Sequence, residues 1–287
     1  MRFSHVLNVI AQDAEDLACP LSRFGEPEWL AAGTAFDIGF EGDARAVLDE
    51  ARALAGGAAA DINVVAVEGR KKKLLVCDME STIIDCECLD ELAAIAGIGP
   101  RIAAITERAM RGEIAFEGAL RERVGLLKGL PLTALEQVWR ERVHLIGGAR
   151  QLVATMKAHG ARTVLVSGGF TYFTARVAQA VGFDEYQSNV LNDDGVALTG
   201  TVGEPILGRQ AKLDALERSL ATLGLAASDA LAVGDGANDL AMIQRAGLGV
   251  AYHAKPVVAA AAGAGIAHAD LTALLYPQGY REEDIAL

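Results

Sequence analysis

This sequence predicts an α/β fold: a parallel-sheet core, a helical cap inserted into it, and a small α/β unit ahead of it. Three observations carry the prediction. Short apolar runs alternate with amphipathic helical stretches along most of the 287 residues, the pattern of strands joined by crossover helices. Between residues 85 and about 142 the alternation stops and the sequence is helical; it then resumes, which reads as one sheet with an insertion. Three apolar runs end in a carboxylate, a hydroxyl or closely spaced glycines, and an open parallel sheet gathers such ends on one rim.

Taken in order, residues 1–70 hold the strand-like runs HVLNVIA, AFDIGF and INVVAV and the helical run DARAVLDEARALAG, a small unit suited to ligand binding or dimerisation. Gly69 and the basic run at 70–73 close it and read as a solvated linker. The core is assigned to 71–84 and 146–287, and the cap to 85–145. The first core strand is in LLVCDMEST, residues 74–82, an apolar run ending in an exposed-looking Asp78. The cap is a candidate lid, with Gly97, Gly112, Gly129, Gly147 and Gly148 as candidate hinges. The later core shows TVLVSGG, the helix TYFTARVAQAVG, then ALAVGDGANDLAMIQRAG and LGVAYHA.

A composition of 52% hydrophobic and 22% charged residues is that of a globular domain. The net charge of −12 argues against nucleic acid or an anionic membrane surface as partner, because both need a positive footprint. Cys19, Cys77, Cys86 and Cys88 form no disulfide framework, and the one-residue gap between the last two is too short for the usual zinc knuckle; they read as packing thiols. The first residues lack the apolar stretch and cleavage site of a signal peptide, and no run has the length of a membrane span, so a cytoplasmic setting is expected.

Each glycine-containing strand end is weak alone, since tight turns need glycine for conformational reasons. Together they suit phosphoryl transfer through an aspartyl phosphate, because a carboxylate nucleophile divides one hard displacement into two easier ones. Asp78, a backbone carbonyl and Asp235 would hold Mg²⁺, a hard cation that prefers oxygen. Ser167 and the amides after Asp78 and at Gly168 can donate to phosphate oxygens. Lys212, heading a helical stretch, is the candidate for charge balance; on spacing alone it also reads as a surface lysine.

At this point the residues match a family. DMEST, VSGG, Lys212 and GDGAND resemble, in order, the four motifs of haloacid-dehalogenase-like phosphatases. ECLDELA, ITERAMRGEIAFEGALRERVGLLKGLP and GDGANDLAMIQRAGLGVAYHAKP look like the phosphoserine phosphatase family within them. The resemblance covers about 74–270 and implies a Rossmann-like core of the haloacid-dehalogenase (HAD) fold; residues 1–70 lie outside it and are loosely similar to ACT-like modules. It implies Mg²⁺-dependent hydrolysis of O-phosphoserine, a small-molecule substrate, as the last step of serine biosynthesis, and it allows a homodimer. It makes Asp78 the nucleophile, gives Glu80 the proton-transfer role with its backbone carbonyl on the metal, and makes Asp235 a metal ligand. Ser167, Gly168, Lys212 and Asn238 become phosphate contacts, and Asp239 supports the metal from behind. Glu87 would meet the substrate ammonium, Arg123 its carboxylate, and Met110 and Phe116 would form apolar walls.

The residues add support for Arg123. Phe116, Leu120, Arg123 and Leu127 share one helix face, whereas Arg121 points away. An arginine in an apolar stripe needs a partner, and a guanidinium fits a carboxylate through two hydrogen bonds; an arginine reaching out at the cap edge is the bland alternative. Glu87 has two readings as well, a charge favourable at the start of the helix CLDELAAIAG or a substrate contact.

Glu80 departs from the resembled pattern, which has aspartate there. Its intrinsic pKa, about 4.3 against 3.9, preserves the proton chemistry. The extra methylene shifts the carboxyl by roughly 1 Å unless the rotamer folds back, a displacement that can cost on the order of 10²-fold in rate. Two outcomes stay open: a pocket adjusted to the longer acid, or a slowed enzyme. The alternatives to the main reading are a phosphatase or phosphotransferase for another small phosphomonoester, and a catalytically weakened regulatory binding protein.

Overall fold

The computed structural model describes residues 3–286. The chain begins with β1 (His5–Ala11), α1 (Glu15–Leu21), β2 (Pro27–Ala31), β3 (Ala35–Phe40), α2 (Ala44–Leu54) and β4 (Ala60–Ala66). These strands form an antiparallel sheet in the order β2-β3-β1-β4, the arrangement of a split βαββαβ unit. Asp43 starts α2 by accepting from the amides of Arg45 and Ala46, satisfying two of the donors that a helix start leaves free. The apolar runs at 5–11, 35–40 and 60–66 are three of the four strands. The fourth, β2, escapes the sequence reading because Pro27, Glu28 and Trp29 break its alternation.

The core sheet follows. β5 (Leu74–Cys77) leads into four helices, α3 (Cys88–Ile95), α4 (Gly99–Met110), α5 (Phe116–Gly125) and α6 (Thr133–Glu141). The chain then returns through α7 (Ala149–Ala158), β6 (Arg162–Phe170), α8 (Thr171–Val181) and β7 (Glu185–Asn189). A hairpin, β8 (Leu191–Asp193) and β9 (Leu198–Val202), precedes α9 (Gln210–Leu223) and β10 (Ala230–Gly234). Last come α10 (Leu240–Arg245), β11 (Leu248–Tyr252), α11 (Pro256–Ala261) and β12 (Ala264–Ile266).

Six parallel strands lie in the order β12-β11-β10-β5-β6-β7. The chain grows outward from β5 to β7, then comes back to place β10 on the other side of β5 and grows the opposite way. The order therefore reverses between β5 and β10, and the crevice outside their carboxyl ends is where open sheets bind ligands. All four residues of β5 are fully buried, because helices cover both faces. Leu75 and Cys77 pack into one apolar cluster with Leu165, Leu231 and Val233, while Leu74 and Val76 pack into another with Val164, Ala230 and Ala232, as the two-residue side-chain period of a strand requires.

In the basic run at 70–73, Lys71 and Lys73 are exposed as the sequence suggests, but Arg70 is not solvated. The Arg70 side chain is 14% exposed; it pairs with Asp37 at 2.6 Å and donates to the carbonyls of Tyr276 and Pro277 at 3.0 Å each. Asp37 is itself buried in the first unit and also accepts from Asn8 Nδ2. A charge run conceals this because nothing local marks which of four cations has a buried carboxylate waiting for it. No helix among the described residues is long and apolar enough to cross a membrane.

Candidate active site

The strand end suggests an outward-aimed Asp78, but the structure buries it to 5% exposure. The reason is Lys212. Its Nζ lies 2.7 Å from Asp78 Oδ1 and 2.5 Å from Asp239 Oδ1, and Lys212 and Asp239 are themselves 3% and 0% exposed. Three elements converge to make this bridge: β5 delivers Asp78, the first turn of α9 delivers Lys212, and the turn after β10 delivers Asp239. The Asp78 amide donates to Val233 O of β10 at 3.0 Å, continuing the sheet ladder one step past β5.

Electrostatics follow from burial and from this bridge. Burial pushes the Asp78 carboxyl well above its ordinary value, against the pull of Lys212. Burial alone would lower Lys212, but Asp78 and Asp239 outweigh it and hold the ammonium above the usual lysine range, so it stays charged. Asp235, half-buried at the end of β10, is raised by burial and by Asp239. One oxygen each from Asp78, Asp235 and Asp239 lie within 4.8 Å of one another. Three carboxylates against one ammonium leave a negative excess, and the donors are hard oxygens, so this set fits a divalent cation of the oxygen-preferring kind. Asp239 already uses Oδ1 on Lys212 and Oδ2 on the Gly236 amide at 2.9 Å, which leaves Asp78 and Asp235 as the freer ligands.

Glu80 lies beside this cluster. Its Oε1 accepts from the Cys88 amide at the start of α3 at 2.8 Å, and its Oε2 rests over Gly169, where an added Cβ would stand 2.8 Å away. A side chain at 169 would press on the carboxyl of the longer acid. Burial, with a smaller contribution from Glu87, raises the Glu80 carboxyl to about 7 while the Cys88 hydrogen bond opposes the shift. Ser167, 2% exposed, accepts from the Gly169 amide through Oγ at 2.9 Å. Gly168 is braced by Asn189, whose Nδ2 donates to its carbonyl at 2.8 Å.

The substrate-contact candidates come from the four helices. Glu87, at the edge of α3, accepts from Ser81 Oγ at 3.0 Å, and Ser81 holds a left-handed φ of 56°, a conformation that non-glycine residues adopt at a cost. Arg123 of α5 is half-buried and makes no ion pair among the described residues; its one hydrogen bond is a long one to Ala119 O at 3.4 Å. Burial lowers its pKa while Asp90, Glu80 and Glu87 oppose, so it lies in the field of the site's acids. Arg121 points away and pairs with Glu204. Phe116 reaches over Gly168, whose added Cβ would stand 3.7 Å from its ring. Asn238 is exposed, with Oδ1 against Gly236. Met110 is not brought in: it lies 77% exposed at the end of α4.

Sequence reasoning missed Ser81 as the partner of Glu87, Gly169 as the seat of Glu80, and Lys255, whose charge bears on both Asp235 and Glu87. Lys255 had a readable signal, because it follows the strand end of LGVAYHA on the same rim. Cys77 and Cys88 are buried, Cys86 is half-buried, and all are free thiols. A cavity of about 330 Å³ opens elsewhere, near the amino end of β11 between Arg70, Lys72 and Gly249, away from this chemistry.

A buried carboxylate salt-bridged to lysine, at the switch point of a parallel sheet, marks a doubly wound α/β protein whose site is built around an aspartate. A family profile described as haloacid dehalogenase-like hydrolase matches residues 72–247, more than half of the chain. The chain belongs to that family. It is 44% identical over 205 residues to a phosphoserine phosphatase of Archaeoglobus fulgidus, covering 71% of this chain and 59% of that one; it thus spans about three fifths of that relative's length. It is 47% identical over 208 residues to a phosphoserine phosphatase of Albidiferax ferrireducens, covering 71% of this chain and 88% of that one. A solved HAD family hydrolase of Salmonella enterica serovar Typhi superposes with a TM-score of 0.86 at 30% identity, covering 96% of this chain and 98% of that one, the amino-terminal sheet included.

Proposed function

We propose that this protein hydrolyses O-phosphoserine to serine and phosphate, with Mg²⁺, through a phosphoryl group carried on Asp78. The observation that carries the proposal is the buried bridge of Lys212 between Asp78 and Asp239 with Asp235 alongside. The names of the curated relatives direct it to phosphoserine, and the unpaired Arg123 fits a substrate carboxylate.

Asp78 Oδ attacks phosphorus as the bond to the serine oxygen breaks, and Glu80 gives its proton to the departing alkoxide. Glu80, held near neutrality by burial, then takes a proton from water. The water oxygen attacks phosphorus, the bond to Asp78 breaks, and phosphate leaves with both carboxyls restored. Asp78, the Glu80 carbonyl and Asp235 would hold the Mg²⁺, with Asp239 behind them; when bound it offsets charge on the phosphoryl oxygens. Lys212 opposes the burial penalty on the Asp78 charge and adds a positive charge beside the phosphate. Ser167, Gly168 and Asn238 line the phosphate position, and Glu87 and Arg123 take the ammonium and carboxylate of the amino acid. Phe116 supplies an apolar wall over Gly168.

In this reading 71–84 with 146–287 is the catalytic core, 85–145 its cap, and 1–70 an ACT-like unit, in a cytoplasmic enzyme. Phosphate release from a panel of phosphorylated amino acids and sugars, with and without Mg²⁺, tests it. Phosphoserine is expected to be the preferred substrate, only with the metal, and Asp78→Asn to reduce turnover by at least about 10³-fold. Equal turnover of Asp78→Asn and the unaltered chain overturns the reading.

A further inference from the structure

We propose that Asp61, in the amino-terminal unit, is a positioning residue for the rim segment 253–255 and, through it, for Asp235. The inference rests on the reading of Asp235 as a metal ligand. Asp61 lies on β4, an edge strand of its own sheet, and is 4% exposed. Its carboxylate makes no ion pair among the described residues. It accepts instead from three consecutive amides just past β12, Ala267 at 2.6 Å, His268 at 3.2 Å and Ala269 at 3.0 Å, an anion seated in a run of backbone donors. Two residues along the same face of β4, Asn63 exchanges two hydrogen bonds with Gly265, at 2.8 and 3.1 Å. The first unit thus holds the edge of the core sheet and the turn leaving it.

That turn holds His253 in its place. The His253 amide donates to Ile266 O at 2.7 Å, and its Nε2 lies 2.9 Å from Ala269 O. His253 has a φ of 42°, and a non-glycine residue persists there only when its surroundings over-determine it. Two residues on, the Lys255 amide donates to the carbonyl of Asp235 at 3.3 Å, and the Lys255 charge bears on the Asp235 carboxyl. The connection from Asp61 to Asp235 is a continuous series of hydrogen bonds and short backbone steps. An asparagine at 61 keeps one acceptor oxygen and loses the charge, so the three amides can no longer all be held.

The test compares Asp61→Asn and His253→Ala with the unaltered full-length chain. His253→Ala leaves the Asp61 bonds intact and removes the Nε2 contact with Ala269 O one step later, at an exposed residue, so it still tests the path from the turn to 253–255 if Asp61→Asn fails to fold. Two readouts are made well below the unfolding temperature: Mg²⁺ binding by titration calorimetry, and hydrogen exchange of the amides at 253–255 and 266–269. The expected result is about a three- to tenfold weaker Mg²⁺ affinity and faster exchange in both segments with exchange of the β10 amides at 231–233 unchanged, whereas a merely global loss of stability speeds exchange in β10 as well. A folded variant with unchanged exchange at 253–255 and unchanged Mg²⁺ affinity overturns the proposal. The exchange measurement needs neither metal nor substrate, so it stands apart from the phosphoserine reading, which fails separately if the unaltered chain releases no phosphate.

Discussion

Glu80 shows how far one methylene can be read. The sequence poses two outcomes for it, and the contacts in the structure favour one: Oε1 reaches the Cys88 amide while Oε2 lies over Gly169, so both ends of the longer acid have a place. An aspartate cannot reach both, and its carboxyl would withdraw from one of them by about 1 Å. Glu80→Asp is therefore expected to lower kcat on the order of 10²-fold, checked by steady-state phosphate release from phosphoserine. A rise in kcat would mean that the pocket is not shaped to glutamate. The identity of Glu80 as an acid near Asp78 is legible in DMEST; its seat is not, because Gly169 and Cys88 reach it only when β6 and α3 are folded against β5.

Among elements, the core strands were readable because a buried parallel strand is a run of apolar residues ending in a turn, as in TVLVSGG and ALAVGDG. The hairpin β8–β9 was not, since DDGV and TGT carry polar signals. Its role is also non-local: Leu198 exchanges hydrogen bonds with Gly129 and Leu130 between α5 and α6, so the hairpin props the helical insertion. β7 escaped for the same reason, with Glu185, Gln187 and Ser188 on an edge strand. Its start is fixed by Asp184, which accepts from the amide and hydroxyl of Thr163 on β6 at 2.9 Å each and pairs with Lys157 of α7 at 2.8 Å. Partial burial opposes ionisation there, but these bonds together hold the carboxyl below its ordinary value. A lowered folded-state pKa contributes stability that is complete above the unfolded value, near 3.9, and is lost as pH falls through the folded one. Asp184→Asn should cost about 1–2 kcal/mol at pH 7, with the gap to the unaltered chain narrowing at pH 3, as measured by urea denaturation.

For the whole molecule, one of the links between the first unit and the core is ionic and buried. Arg70 is held by Asp37 on one side and by the Tyr276 and Pro277 carbonyls on the other. Arg70→Met would strand Asp37 without its cation, which is expected to cost about 3–5 kcal/mol and to show in urea denaturation as a lower midpoint. A loss under 1 kcal/mol would mean that Asn8 and solvent suffice for Asp37. The same interface explains why residues 1–70 look separable in sequence, with their own apolar periodicity, and yet are joined to the core.

By itself the sequence determined the α/β class, the helical insertion, the three strand ends that carry Asp78, Ser167 and Asp235, and the candidacy of Lys212. Those follow from local rules, since side-chain period and turn chemistry act over a few residues. The tertiary structure alone decided that Asp78 is buried, that Lys212 is shared between two carboxylates, that Arg123 lacks an ion-pair partner among the described residues, and that Asp61 grips a turn 208 residues away. Burial and pairing depend on which distant groups meet, and no local periodicity encodes the partner of a charge.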